Sequence, residues 1–286
     1  PKAASRAQLV GNYVQSLYRF FELFRRKGEF KNPFESPINF VTVEVLGNSV
    51  RDEEALRLVA EFYFKHGYYT EALGLFELLL KRGDGDTQIY QKTGYSYQRL
   101  GDVNKALDMY LKAEILAPES MWILKRIAHC YRIMSLPAKA LEYYERVAAK
   151  HDDDINITLS MGHCLMELGR YHDAIRHYFK VEFLTADSGK HLRPMAWCSL
   201  MLGDLDRAEK YYNKIIARGA EPSDYLNIGH LYMIKGDIMS AIDNYDKSPR
   251  HTFASSMSAD REHLLRLGVD GILLNLVIDK VLSSEK

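Results

Sequence analysis

Cysteine is scarce, with 3 among 286 residues, so the chain has no disulfide framework of the kind that staples small secreted domains, and a reducing, cytoplasmic setting is expected. Net charge is missing as well, because 38 Lys plus Arg balance 38 Asp plus Glu. A dedicated nucleic-acid binder usually carries a basic excess that neutralises phosphates, so nucleic acid is disfavoured as a partner. The 8 prolines and 18 glycines stand singly, which excludes collagen and low-complexity linkers. Long apolar runs are lacking too. The most apolar late stretch, 271–278, meets Asp279 and Lys280 far short of the ~20 residues a membrane span needs, so none is expected. Residues 9–24 are interrupted by Asn12, Gln15, Arg19 and Glu22, unlike the apolar region of a signal peptide. The chain starts at Pro1 and not Met, which leaves a removed leader open. What is present is 47% apolar and 12% aromatic composition, enough to fold around a core or several small ones.

The three cysteines, Cys130, Cys164 and Cys198, are each 34 residues apart, and that interval recurs elsewhere. Ala72, Ala106, Ala140, Ala174, Ala208 and Ala241 form a ladder with steps of 34, 34, 34, 34 and 33. Gly67, Gly101, Gly169, Gly203 and Gly236 form another, broken only by Ser135. A third holds small residues alone, at Ala60, Gly94, Ala128, Gly162, Ala196 and Gly229, and an aromatic rung runs through Phe76, Tyr110, Tyr144, Tyr178, Tyr212 and Tyr245. Six repeats are therefore placed over 53–255, starting near Glu53, Thr87, Met121, Ile155, Gly189 and Pro222. Within one repeat, Tyr90, Thr93, Gly94 and Tyr97 mark one stripe of a helix, Gly101-Asp102 breaks it, and Ala106, Met109, Tyr110 and Ala113 mark the facing stripe of a second. The small residues let the two helices approach closely, and the aromatics fill the remaining space. At Ser135, where Gly is missing, Pro137 offers another way to set the turn. Asp154 and Ser120 are expected N-caps.

This pattern resembles the tetratricopeptide repeat, a 34-residue helical hairpin. Departures are Leu165 and Ser199 where Tyr is usual, and a thirty-second position matched only by Pro118. The resemblance implies an all-α, right-handed superhelical solenoid whose first helices line a concave groove that holds a peptide or protein segment. Fold by itself does not fix function.

Residues 1–52 are expected to form an N-terminal helix, amphipathic over residues 7–24, and an ordered linker at 28–48, both packed on the repeats. Residues 256–286 are expected to close the array with two helices, over 259–267 and 272–282, their charges turned outward.

Catalytic and metal chemistry finds no footing. Cysteines at one position of successive repeats are too far apart for a disulfide, and His129, His163 and His230, which share another position, are separated by the same spacing. The run His151, Asp152, Asp153, Asp154 lacks the Gly and distal Glu of a calcium loop and reads as a solvated loop ending in an N-cap. No nucleophile elbow, phosphate loop or zinc-protease motif occurs, so the chain is expected to be no enzyme and to need neither cofactor nor metal.

The groove implied by the resemblance carries Lys92, Tyr95 and Arg99 in repeat two, then Trp122, Lys125, Arg126, His129 and Arg132 in repeat three, five cations with no carboxylate among them. Further along it carries Asn156, His163, Lys190, Arg193, Trp197, Asn227 and His230, together with Met166, Met201 and Met233. Cations meet carboxylates, while aromatics and Met meet apolar side chains. The expected partner is another protein or peptide, an acidic segment above all. Alternatives are solvated helix faces with Trp122 and Trp197 in the core, single-stranded nucleic acid held by charge and stacking, and an architectural module using its convex face and caps, including self-association through the apolar C-terminal helix. The clamp of the chaperone-tail-binding members would fall on Lys125, His129, Ser160, Lys190 and Pro194. Only Lys125 and Lys190 match, so that activity is not carried over.

Overall fold

The structure is a computed structural model and describes residues 6–25, 53–150, 154–185 and 189–283. The expected linker at 28–48 lies outside the described residues, as do His151, Asp152 and Asp153. Every regular element among the described residues is an α-helix. Chain contacts divide it into two units, Pro1–Leu136 and Pro137–Lys286. The first holds α1 (Arg6–Arg25), α2 (Glu53–Lys65), α3 (Tyr69–Arg82), α4 (Thr87–Arg99), α5 (Val103–Leu116) and α6 (Met121–Ile133). The second holds α7 (Pro137–Ala148), α8 (Ile155–Glu167), α9 (Tyr171–Leu184), α10 (Leu192–Met201), α11 (Leu205–Arg218), α12 (Pro222–Lys235), α13 (Ile238–Tyr245), α14 (Arg250–Arg266) and α15 (Gly271–Ser283).

The turns inside the hairpins follow from a dipeptide. Gly101, Gly203 and Gly236 take φ of 88°, 73° and 79°, where a Cβ is opposed, and the chain reverses. Asp follows at once and caps the next helix: Asp102 accepts from the Lys105 N–H at 3.1 Å, Asp204 from Arg207 at 3.2 Å and Asp237 from Ser240 at 3.1 Å. Asp154 caps α8 through the Asn156 and Ile157 N–H groups. Ser120 precedes α6, but its hydroxyl makes no cap bond. Ser135 itself takes the left-handed conformation, with φ of 56°, so Pro137 starts α7 without replacing the turn.

The Lys105 N–H and ammonium hold the Asp102 carboxyl below its ordinary value, and the Ser240 hydroxyl and N–H do the same for Asp237. A lowered carboxylate stabilises the fold above its unfolded value and loses that effect as pH falls through the folded one. Thermal melts are therefore expected to drop below about pH 4, less steeply in an Asp102→Asn/Asp237→Asn chain, which keeps cap acceptors that do not titrate.

Packing rests on small residues facing rings. A Cβ on Gly94 would lie 2.7 Å from the Tyr110 ring and 3.2 Å from the Ala106 carbonyl oxygen. In the first unit Leu56, Val59, Phe76, Leu79 and Ile89 form a buried cluster, and α1 adds Val14 to it. Tyr18 of α1 meets Phe62 edge-on with ring centroids 5.5 Å apart. In the second unit a cluster around Tyr245, Phe253, Met257, Leu264, Leu274 and Val277 joins α12 and α13 to the closing helices.

Those closing helices differ from expectation. Helix α14 begins directly after Pro249, nine residues before the expected start at 259, because Phe253, Met257 and Leu264 are spaced to bury on one face. The charges do not all face outward, since Asp260 turns in against His230. Helix α15 shows the solvent Ile272 and Leu276, 74% and 61% exposed. No helix among the described residues is long and apolar enough to cross a membrane.

Candidate functional site

In the first unit α4 and α6 present their side chains to one another across a shared face. The Arg126 guanidinium stands 5.0 Å from the Tyr95 ring centroid and 5.0 Å from that of Trp122. Each ring is held from behind. Tyr95 packs edge-on to Phe64 at 5.5 Å and Tyr69 at 5.8 Å, and Trp122 edge-on to Tyr110 at 5.8 Å. Trp122 is nevertheless 40% exposed, so it offers apolar surface and is not a core residue. Arg99 lies 5.3 Å over the Tyr69 ring, beside the same cluster. A ring quadrupole attracts a guanidinium without neutralising it, which leaves the N–H donors for a carboxylate. Among the described residues no ion pair engages Arg99, Arg126 or Arg132. Lys125 and Arg132 extend the positive face along α6. Between them His129 is driven below its ordinary pKa, first by burial and then by Arg132 and Arg126. The electrostatic environment of this face is thus set by cations.

Lys92 belongs to the same face but is not at liberty. Its ammonium is 2.5 Å from Glu61 of the preceding first helix. The stripe read from repeats two and three shows no carboxylate because its counter-ion sits one repeat earlier. The same projection onto repeat one lands on Glu61 and would have found it.

The second unit places the remaining stripe residues differently. Asn156 is exposed at the start of α8, and Lys190 is exposed in the turn before α10, which begins at Leu192 and not at Gly189. Arg193 is a structural residue: its Nε and Nη2 donate to the two oxygens of Asp224 at 2.8 and 2.9 Å, and Nη2 also reaches Glu221 at 3.0 Å. These carboxylates belong to the capping box of α12, the signal Glu221-Pro222-Ser223-Asp224. His163 and His230 serve the packing as well. Each pairs through Nδ1 with the hydroxyl of the ring fifteen residues on, Tyr178 at 3.1 Å and Tyr245 at 2.8 Å. His230 has no exposed surface, so it is no part of an open groove. Asn227 is half-buried, and so is Trp197, whose ring stands 6.4 Å from those of His230 and His263.

Metal and thiol chemistry do not collect here either. Among the described residues no three His, Cys, Asp or Glu side chains cluster to hold a metal ion. None of the three cysteines is in a disulfide and all three are buried, and burial pushes Cys130 up to about 11 and Cys198 up to about 12.

Against solved structures, a tetratricopeptide repeat protein from Parabacteroides merdae superposes with a TM-score of 0.60 over 81% of this chain and 99% of that one, at 16% identity. This is a tetratricopeptide-repeat fold. The tetratricopeptide hairpins also match the structure described as MamA AMB-1 (TM-score 0.53, 20% identity, 59% of this chain and 93% of that one). MamA MSR-1 is similar as well, with a TM-score of 0.52 and 22% identity over 60% of this chain and 99% of that one. At these identities the likeness carries the tetratricopeptide fold alone. No family model matches the sequence, and no curated protein matches it.

Proposed function

We propose that the chain is a non-catalytic scaffold that binds an acidic segment of another polypeptide across the α4 and α6 face of its first unit. The observation that carries this reading is Arg126, poised between Tyr95 and Trp122 with no ion pair among the described residues. Arg99, Arg126 and Arg132 share this face with no ion pair among the described residues, and a ligand of opposite sign would answer their charge. A carboxylate reaching Arg126 would take a two-pronged hydrogen bond, and the neighbouring side chain of the segment would rest on Trp122. Lys125 and Arg132 would engage the flanking acidic residues. The neutral total favours a polypeptide over a nucleic acid, whose binding would fall steeply with salt.

The test is a Lys125→Glu/Arg126→Glu chain. Binding of a fluorescein-labelled peptide with alternating Glu and Phe, read by anisotropy, is expected to weaken at least about tenfold, with far-UV circular dichroism unchanged. Unaltered affinity in the charge-reversed chain would remove this face from the account.

A further inference from the structure

In the second unit α14 meets the first helices of two consecutive hairpins, α10 and α12, and faces the turn between α8 and α9 across a cleft. Asp260, His263 and Arg266 project from α14 at three-residue steps, along one of its faces. The Asp260 carboxylate lies 3.4 Å from His230 Nε2 on α12. The His263 ring stands edge-on to Trp197 on α10, at 6.4 Å. His263 and Arg266 then close a cleft of about 480 Å³ whose other walls include Met166, Tyr171 and Trp197, the first two flanking the turn after α8. Arg266 Nη2 also lies 3.0 Å from His263 Nδ1, which aligns the two side chains. The positions met on the hairpins are the ones that, in the first unit, carry the open cation and aromatic face.

We propose that the first-helix face of the second unit is a binding surface for an amphipathic helix with acidic and basic side chains at three-residue steps, and that α14 fills it in cis. This does not rest on the acidic-segment reading of the first unit, since it concerns other residues and another ligand pattern. It assigns Trp197 and His230 to an internal partner and makes a segment with the α14 pattern the kind of ligand that competes for them. Three residues of α14 are buried against the rest of the unit, against seven in α12, so the opening of α14 alone costs less than the opening of the hairpins beneath it.

Trp197 can report on this once Trp122 is replaced, because the chain has 2 tryptophans. In a Trp122→Phe background, Asp260→Ala/His263→Ala/Arg266→Ala is expected to raise acrylamide quenching of Trp197 about twofold with helicity retained. A synthetic peptide of residues 250–267 is expected to bind that variant at least tenfold more tightly than the Trp122→Phe parent. Unchanged quenching, or a peptide that binds both alike or neither, overturns the proposal. If the triple variant does not fold, native-state hydrogen exchange on the unaltered chain decides. Amides over 258–266 exchanging at least tenfold faster than those of α12 support the cis-occupant reading, and equal protection overturns it.

Discussion

Replacing Gly94 by Val is expected to destabilise the first unit by about 3 kcal/mol, measured by urea denaturation, even though Val is the better helix former. Propensity alone predicts the opposite sign, a gain of a few tenths of a kcal/mol in mid-helix. Space decides. The first carbon of the new side chain would sit 2.7 Å from a ring carbon of Tyr110, and on its other side the Ala106 carbonyl is 3.2 Å away. Tyr110 cannot swing clear, because it is wholly buried and its hydroxyl donates to Gln98 at 2.9 Å. The same position holds Ala in alternate hairpins, at Ala60, Ala128 and Ala196. Ala128→Gly is the control, expected to cost about 1 kcal/mol through chain entropy and not through a clash. A Gly94→Val chain as stable as the parent would show that the hairpin is more loosely packed than described.

Arg193→Met is expected to cost the second unit about 2–3 kcal/mol, less than for a fully buried pair because the arginine is half exposed, whereas Arg126→Met is expected to change the stability of the first by no more than about 1 kcal/mol. Asp224 has only 4% of its side chain exposed and is held by two guanidinium N–H groups of Arg193 and by the Glu221 N–H at 2.8 Å. Removing the guanidinium leaves a buried carboxylate with a single backbone donor, an arrangement that desolvation makes costly. Asp224→Asn in the Arg193→Met background should recover part of the loss, since the charge then goes while the cap acceptor stays. Chemical denaturation of the four chains gives the double-mutant cycle. Equal and small effects for Arg193→Met and Arg126→Met would mean that both arginines face solvent alike, and the distinction between a structural and a ligand-directed arginine would fail.

That distinction marks where the sequence stops being readable. The ladders of Ala, Gly and aromatic residues report hairpin packing directly, because every hairpin meets the same steric demand and answers it with the same residue type. Asp154 was legible as a cap for the same local reason. The face of α4 and α6 was legible as a stripe, but its electrostatics were not, since a cation's freedom depends on what the preceding or following hairpin brings to it. Lys92 meets Glu61, 31 residues upstream, and Arg193 meets Asp224, 31 downstream. Both partners lie one repeat away, so projecting all six repeats together exposes the first, and the capping box before α12 signals the second. The extension of α14 was hidden by Pro249, which reads as a stop but here precedes the first turn of a helix. Asp260 turning inward had no local signal at all, because it depends on a histidine 30 residues earlier.

The three thiols give the molecule a built-in stopwatch. All three are buried and out of reach, and burial holds the Cys130 and Cys198 thiols protonated, so an alkylating reagent can only record the moment at which the surrounding hairpin parts. Cys130 timestamps events in the first unit, while Cys164 and Cys198 do so for two neighbouring hairpins of the second. Mass spectrometry of the labelled peptides would therefore read out, from the unaltered chain, the order in which the array comes apart.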